Sequence, residues 1–231
     1  AGATRLVLLL DYDGTLVPFA PTPDLAAPDA PLLLLLRRLA SLPATEVHVV
    51  SGRKRDTLGR WLGALPLWLH GEHGLWSRPP AGAWQAVEIA GGTEWREPVR
   101  AILRDFAERT PGSLVEEKTA GFAWHWRAAD PEYGATQAKD LSLHLATLLG
   151  NAPVELLQGD RVLEVRPHGV DKGIVAAQVA RRAPPDALLL AMGDDRTDED
   201  LFAALPPGAT AIHMGPAPSR AGGRLADVGA A

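Results

Sequence analysis

Short apolar runs punctuate the chain at Leu6 to Leu10, Val47 to Val50, Leu67 to His70, Ala187 to Met192 and Thr210 to Met214. Runs this apolar suit strands of a sheet covered on both faces. Helical stretches lie between several of them. From Asp29 to Leu42, for example, Asp29 can cap the first turn, Pro31 fits its opening and Pro43 ends it. The alternation predicts a parallel α/β core.

The middle of the chain has a different period. From Val115 to Arg127 the sequence VEEKTAGFAWHWR alternates, with Ala120 and Gly121 where a hairpin turn belongs. Phe122, Trp124 and Trp126 share one face, while Ala123, His125 and Arg127 share the other. Val162 to Arg166 repeats the pattern, setting Glu164 and Arg166 opposite Leu163 and Val165. Helical spacing at Val99, Ile102, Leu103 and Phe106, and again at Ala138, Leu141, Leu145 and Leu148, supplies two helices for the dry face. These residues predict an antiparallel α+β unit over 93–165, inserted into an α/β core formed by 1–92 and 166–231. The aromatic stripe is expected in the core of that unit. Glu117 and Arg166 are expected to be solvated, and the tail after Gly215 to be weakly structured.

Composition narrows the function. With 231 residues, 46% of them hydrophobic, the chain has ample material for a core. Its 23 Lys and Arg against 28 Asp and Glu leave no basic excess, so nucleic acid is not an expected partner. There is no cysteine, so a metal would be held by oxygen or imidazole. No apolar run approaches the roughly 18 residues of a membrane span. A cytoplasmic location is expected.

The candidate chemistry sits at the ends of the apolar runs, where open α/β sheets place their ligands. The first run leads into Asp11-Tyr12-Asp13-Gly14-Thr15-Leu16, and the run ending at Met192 leads into Gly193-Asp194-Asp195-Arg196-Thr197-Asp198-Glu199-Asp200. Close carboxylates raise one another's pKa unless a cation intervenes, and a divalent metal resolves that repulsion. A helix N-terminus explains Asp198 to Asp200 but hardly Asp194. Ser51-Gly52-Arg53 precedes a predicted helix from Lys54 and offers a hydroxyl and N–H groups to a phosphate oxygen, although, taken alone, the motif is accounted for more simply by plain helix capping. Lys172, before the helix Ile174 to Arg182, can supply positive charge to a phosphoryl group.

In this order, DYDGTL, SGR, the lysine and GDDRTDED resemble the haloacid dehalogenase superfamily of aspartyl phosphotransferases. The resemblance implies that Asp11 is the nucleophile and Asp13 the acid and base. It implies further that Ser51 and Lys172 hold the phosphoryl group. Mg²⁺ would be held by Asp11, the Asp13 carbonyl and Asp194, with Asp198 supporting them and Asp195 in either position. The inserted unit resembles the larger cap of that superfamily.

A narrower resemblance, carried by DYDGTLVPF, SGRKRDTL, GEHG at Gly71 to Gly74, VEEKTAGFAWHWR, LEVRPHGVDKG and GDDRTDEDLF, is to the trehalose-6-phosphate phosphatases. Val17 and Asp171 depart from the usual Ser or Thr and Asn. The resemblance implies a sugar-phosphate substrate gripped by Arg53, Glu72, His73, Glu116, Lys118, His125, Arg127 and Glu164, and a trehalose-phosphate synthase as a possible partner in trans. Such side chains suit sugar discrimination, because a rival lacking the matching hydroxyl leaves a buried charge unpaired. His48, His70, His144 and His213 are expected to be structural. The alternatives are a phosphatase of the same cap class acting on sucrose phosphate or on a mannosyl or glucosyl glycerate phosphate, and a non-catalytic receiver-like module. Asp13 and the insertion argue against the last.

Overall fold

In a computed structural model, which describes residues 5–89 and 92–230, the chain opens with β1 (Leu6–Asp11), α1 (Ala30–Ala40), β2 (Thr45–Val50), α2 (Arg55–Leu62), β3 (Trp68–Gly71), β4 (Trp76–Arg78) and β5 (Gln85–Ala86). It continues through α3 (Arg96–Arg109), β6 (Leu114–Glu117), β7 (Phe122–His125), α4 (Pro131–Leu149), β8 (Val154–Gly159) and β9 (Val162–Pro167). It closes with α5 (Lys172–Arg182), β10 (Leu188–Gly193), α6 (Asp198–Ala203), β11 (Thr210–Met214) and β12 (Gly223–Leu225). Two compact units result: one from the segment up to Ala20, Ala26–Val87 and the chain from Asp171 onward, the other from Pro21–Leu25 and Glu88–Val170.

The first unit holds an eight-stranded sheet in the order β12-β11-β10-β1-β2-β3-β4-β5. It is parallel from β12 to β3, and β4 and β5 add an antiparallel edge. Alternation along β1 shows why its residues are apolar throughout. Leu8 and Leu10 join Leu36 of α1 and Leu58 and Leu62 of α2, whereas Val7 and Leu9 join Val175 and Val179 of α5 and Leu201 of α6. Both faces of the sheet are therefore dry, as the apolar runs predicted. Asp29 caps α1 by accepting from Leu32 N at 2.9 Å, and Pro31 lies in the first turn.

The second unit is an antiparallel sheet, β6-β7-β9-β8, with α3 and α4 packed on one face. Phe122, Trp124, Leu163 and Val165 meet Val99, Leu103 and Phe106 of α3 and Leu141 and Leu145 of α4. Trp124 and Phe122 of the aromatic stripe are fully buried in the core, and Trp126 packs half-buried against it. β9 runs on to Pro167, paired with Val154, so its sheet extends past residue 165, where the sequence set the boundary.

Other expectations are corrected. Arg166 is not solvated: it is 3% exposed and donates to Glu155 Oε1 at 2.8 Å, because its cross-strand neighbour on β8 is an acid that lets a guanidinium be buried. Glu117 is exposed but not merely solvated, being bridged by Arg96 and Arg100 of α3. The tail is not loose: β12 pairs with β11, and Glu199 accepts from Ser219 Oγ at 2.5 Å and Arg220 N at 3.0 Å. Among the described residues no helix is long and apolar enough to cross a membrane.

Candidate active site

The parallel strands end in loops that gather the acidic motifs. Asp11, the last residue of β1, is buried, and its Oδ1 accepts from Lys172 Nζ at 2.6 Å. Lys172 is the first residue of α5, fixed there by Asp171, whose side chain accepts from Ile174 N. The same ammonium donates to Asp198 Oδ1 at 2.7 Å, and Asp198 Oδ2 accepts from the backbone N–H groups of Asp194 and Asp195 at 3.0 and 3.1 Å. Asp198 thus ties the lysine to the loop after β10. Both of its oxygens are engaged.

Asp11, Asp194 and Asp198 bring carboxylate oxygens within 4.8 Å of one another. Asp195 turns aside, its Oδ1 accepting from Thr197 N at 2.8 Å and Thr197 Oγ1 at 2.7 Å. Four carboxyls around one ammonium leave an excess of negative charge. Burial pushes the Asp11 carboxyl up to about 8 against the pull of Lys172, with Asp194 and Asp195 adding to the rise. Asp194 also rises to about 8, through burial first and then the charges of Asp195 and Asp198. Burial opposes the Lys172 ammonium, but Asp11, Asp198 and Asp195 outweigh it and hold its pKa well above the usual range.

The donor set suits a hard divalent cation. All three groups offer oxygen, and among the described residues no hydrogen-bond donor reaches the buried Asp11 Oδ2. Asp194 places a carboxylate oxygen beside those of Asp11, where both could bind the ion. The close approach of the loops is built into Gly14: its φ is +82°, and a Cβ there would lie 2.2 Å from Asp194 Oδ2.

Asp13 is not part of this carboxylate group. Arg53 holds it in a two-pronged pair, with Nε to Oδ2 at 2.7 Å and Nη2 to Oδ1 at 2.5 Å. The guanidinium itself lies over Trp61 and Tyr12, 4.8 and 5.5 Å from their ring centroids. Neither aromatic was singled out from sequence. In an extended segment Tyr12 necessarily points away from Asp11 and Asp13, and its hydroxyl is anchored on Ala26 O. Trp61 carries no local signal. Ser51 Oγ accepts from Arg53 N at 3.1 Å in a local turn and does not cap α2, whose N-cap is Lys54 without a side-chain cap bond.

Glu72 and His73 lie in the turn after β3, both buried and both in the left-handed region, with φ of 49° and 58°. Such strain in consecutive non-glycine residues marks an externally held loop. Here Glu72 N donates to Arg53 O at 2.9 Å and His73 N to Ser51 O at 3.0 Å. Gly52 leaves room for the His73 ring, since a Cβ on it would sit 2.7 Å from that ring.

The remaining candidates share the second unit's sheet. Glu116 and Glu164 both pair across to Ala123, so they lie on one face, opposite the helices. Lys118 Nζ donates to Glu164 Oε1 at 2.7 Å, and both side chains are buried. Glu116 and His125 are 3.1 Å apart. Arg127 pairs with Asp160 at 2.8 Å, at the rim of the sheet.

Residues 9–221 match the family described as trehalose-phosphatase. Over 227 residues the chain is 45% identical to a bifunctional trehalose-6-phosphate synthase/phosphatase of Thermoproteus tenax, covering 98% of this chain and 31% of that protein. It is 38% identical over 209 residues to a trehalose-phosphatase of Schizosaccharomyces pombe, covering 88% of this chain and 26% of the other. The chain therefore spans about a third or less of the length of these curated relatives. Its fold is similar to that of the C-terminal domain of a C. albicans trehalose-6-phosphate phosphatase, with a TM-score of 0.91 at 29% identity over 98% of this chain and 89% of that one.

Proposed function

Since this chain belongs to the trehalose-phosphatase family, we propose that it hydrolyses trehalose 6-phosphate to trehalose and phosphate through an aspartyl-phosphate on Asp11. The observation that carries the reading is the Lys172 ammonium bridging Asp11 and Asp198 at the carboxyl end of β1, beside a buried Asp11 oxygen with no donor among the described residues. Mg²⁺, held by Asp11, the Asp13 carbonyl and Asp194, would neutralise phosphoryl charge so that a carboxylate can approach an anionic phosphate.

The chain's own residues do the rest. Asp11 attacks phosphorus, the bond from phosphorus to the sugar oxygen breaks, and Asp13 gives that oxygen its proton. Asp13 then takes a proton from water as the water attacks phosphorus, the Asp11–phosphate bond breaks, and the carboxylate is restored. Lys172 and Ser51 hold the phosphoryl oxygens, and Asp198 keeps Lys172 and the 194–195 backbone in place. Arg53 orients Asp13. We assign the recognition of sugar hydroxyls to Arg53, Glu72 and His73 and, on the second sheet, to Glu116, Lys118, His125, Arg127 and Glu164. The unit containing Asp11 is read as the catalytic core and the inserted unit as the substrate-selecting cap. A cytoplasmic setting beside a trehalose-phosphate synthase belongs to the same reading, supported by the relative that joins both activities.

The test is phosphate release in the presence of Mg²⁺, with a chelator control, from trehalose 6-phosphate, sucrose 6-phosphate, glucose 6-phosphate and mannosyl-3-phosphoglycerate. A marked preference in kcat/KM for the first is expected. Preference for another sugar would discard the sugar contacts and keep the chemistry, and absence of metal-dependent release from all four would overturn both.

A further inference from the structure

A line of hydrogen bonds unused by this chemistry crosses β2, β3 and β4. His48 Nε2 lies 2.8 Å from Glu46 Oε1, His48 Nδ1 lies 2.9 Å from His70 Nε2, and His70 Nδ1 lies 2.8 Å from Ser77 Oγ. Both imidazoles are buried and nearly coplanar, their centroids 5.2 Å apart, with Trp68 stacked alongside. The charged groups facing them are Glu46 on β2, Arg5 before β1, which pairs with Glu46 at 3.1 Å, and Arg182 of α5, which lies over Trp68.

With both rings neutral, the line has only one self-consistent direction. A carboxylate accepts and cannot donate, so His48 donates from Nε2 to Glu46. A neutral ring has one N–H, so His48 Nδ1 accepts from His70 Nε2. The remaining nitrogen, His70 Nδ1, must then accept from the Ser77 hydroxyl. Every buried ring nitrogen is satisfied once. Burial, and for His70 the neighbouring His48 and Arg182, hold both imidazoles below their usual pKa, in keeping with neutral rings.

This line lies directly beneath the strained turn. Val50 pairs with His70, and Ser51 N donates to His70 O at 2.9 Å. Three residues beyond His70 is His73, whose N–H returns to Ser51 O, with its ring against Gly52. A slip of β3 along β2 would therefore move Glu72 and His73 directly, with no slack in between. We infer that Glu46, His48, His70 and Ser77 form a positioning line that locks β3 to β2 and holds Glu72 and His73 in their sugar-contacting places, with both histidines protonated on Nε2. The inference rests on the assignment of Glu72 and His73 to substrate recognition.

Two measurements on the full chain test it. Long-range nitrogen–proton correlation of histidine-labelled protein near neutral pH should show His48 and His70 neutral and protonated at Nε2. A ring protonated at Nδ1, or a charged ring, overturns the direction. In kinetics, His70→Phe keeps a ring in the stack and removes both bonds. It should raise KM for trehalose 6-phosphate about tenfold while leaving kcat, and hydrolysis of p-nitrophenyl phosphate, within about threefold. An unchanged KM, or equal loss on both substrates, overturns the positioning role.

Should His70→Phe fail to fold, Ser77→Ala should raise the same KM about threefold and Ser77→Thr, which keeps the hydroxyl, should restore it. No difference between those two variants overturns the inference as well. If the wild-type chain prefers a different sugar phosphate, the functional reading fails, yet the tautomers and the same KM ratio, taken on that sugar, still decide the role of this line.

Discussion

Asp11 and Lys172 are placed against opposing forces, burial disfavouring both charges and their 2.6 Å contact favouring both. Asp11→Asn keeps the shape and removes the proposed nucleophile, so turnover should fall on the order of a thousandfold or more while folding persists. Retention of a tenth of the activity would sink the assignment. The pH dependence of stability follows from Asp11 and Asp194. Both are raised from the ordinary range near 4 to about 8 in the folded chain, so between those limits the folded state binds more protons than the unfolded one. This contribution is full below about pH 4 and is lost as pH rises through about 8. Chelator-treated protein should accordingly melt at a lower temperature near pH 9 than near pH 5, and added Mg²⁺ should raise the midpoint more at the higher pH. A flat profile would contradict the burial-driven shifts. The sequence offered Asp11 and Lys172 as candidates through local motifs, but the Arg53 clamp on Asp13 spans 40 residues and leaves no local trace.

Among elements, α5 shows how a helix start serves a site. Asp171 accepts from Ile174 N, and Lys172 is the next residue. Asp171→Ala should lower unfolding free energy by about 1 kcal/mol, whereas Asp171→Asn, an equally good cap, should stay near wild type. Urea denaturation checks the pair. In the second unit Trp124 is fully buried between the sheet and the helices, and Trp124→Ala should cost about 3–5 kcal/mol in the same measurement. The alternation that placed Trp124 in a core was readable because strand period depends on neighbouring residues alone. β4, β5 and β8 were not readable in the same way. β4 (Trp76–Arg78) and β5 (Gln85–Ala86), for instance, are too short and have too few apolar positions to mark them.

For the molecule as a whole, catalysis and sugar choice are assigned to residues from distant stretches of chain. Glu164→Gln should reduce kcat/KM for trehalose 6-phosphate about tenfold or more yet leave a small generic phosphate ester within about threefold, since the proposed assignment gives that side chain to the sugar. Equal loss on both substrates would remove Glu164 from the sugar site. Sequence by itself determined most of the element types, the sheet covered on both faces and the acidic strand ends, because periodicity, capping and short motifs are local properties of the chain. Tertiary structure alone decided which charges meet. Lys172 reaches Asp11 across 161 positions because α5 packs Val175 and Val179 against Val7 and Leu9 of β1, and Arg166 is buried because β8 brings Glu155 opposite it. It also decided that Glu199 draws in the tail through Ser219 and Arg220, and that Glu46, His48, His70 and Ser77 join in one line. The reason is physical: a pair remote along the chain is specified by register and packing, and these exist only once the sheet has formed.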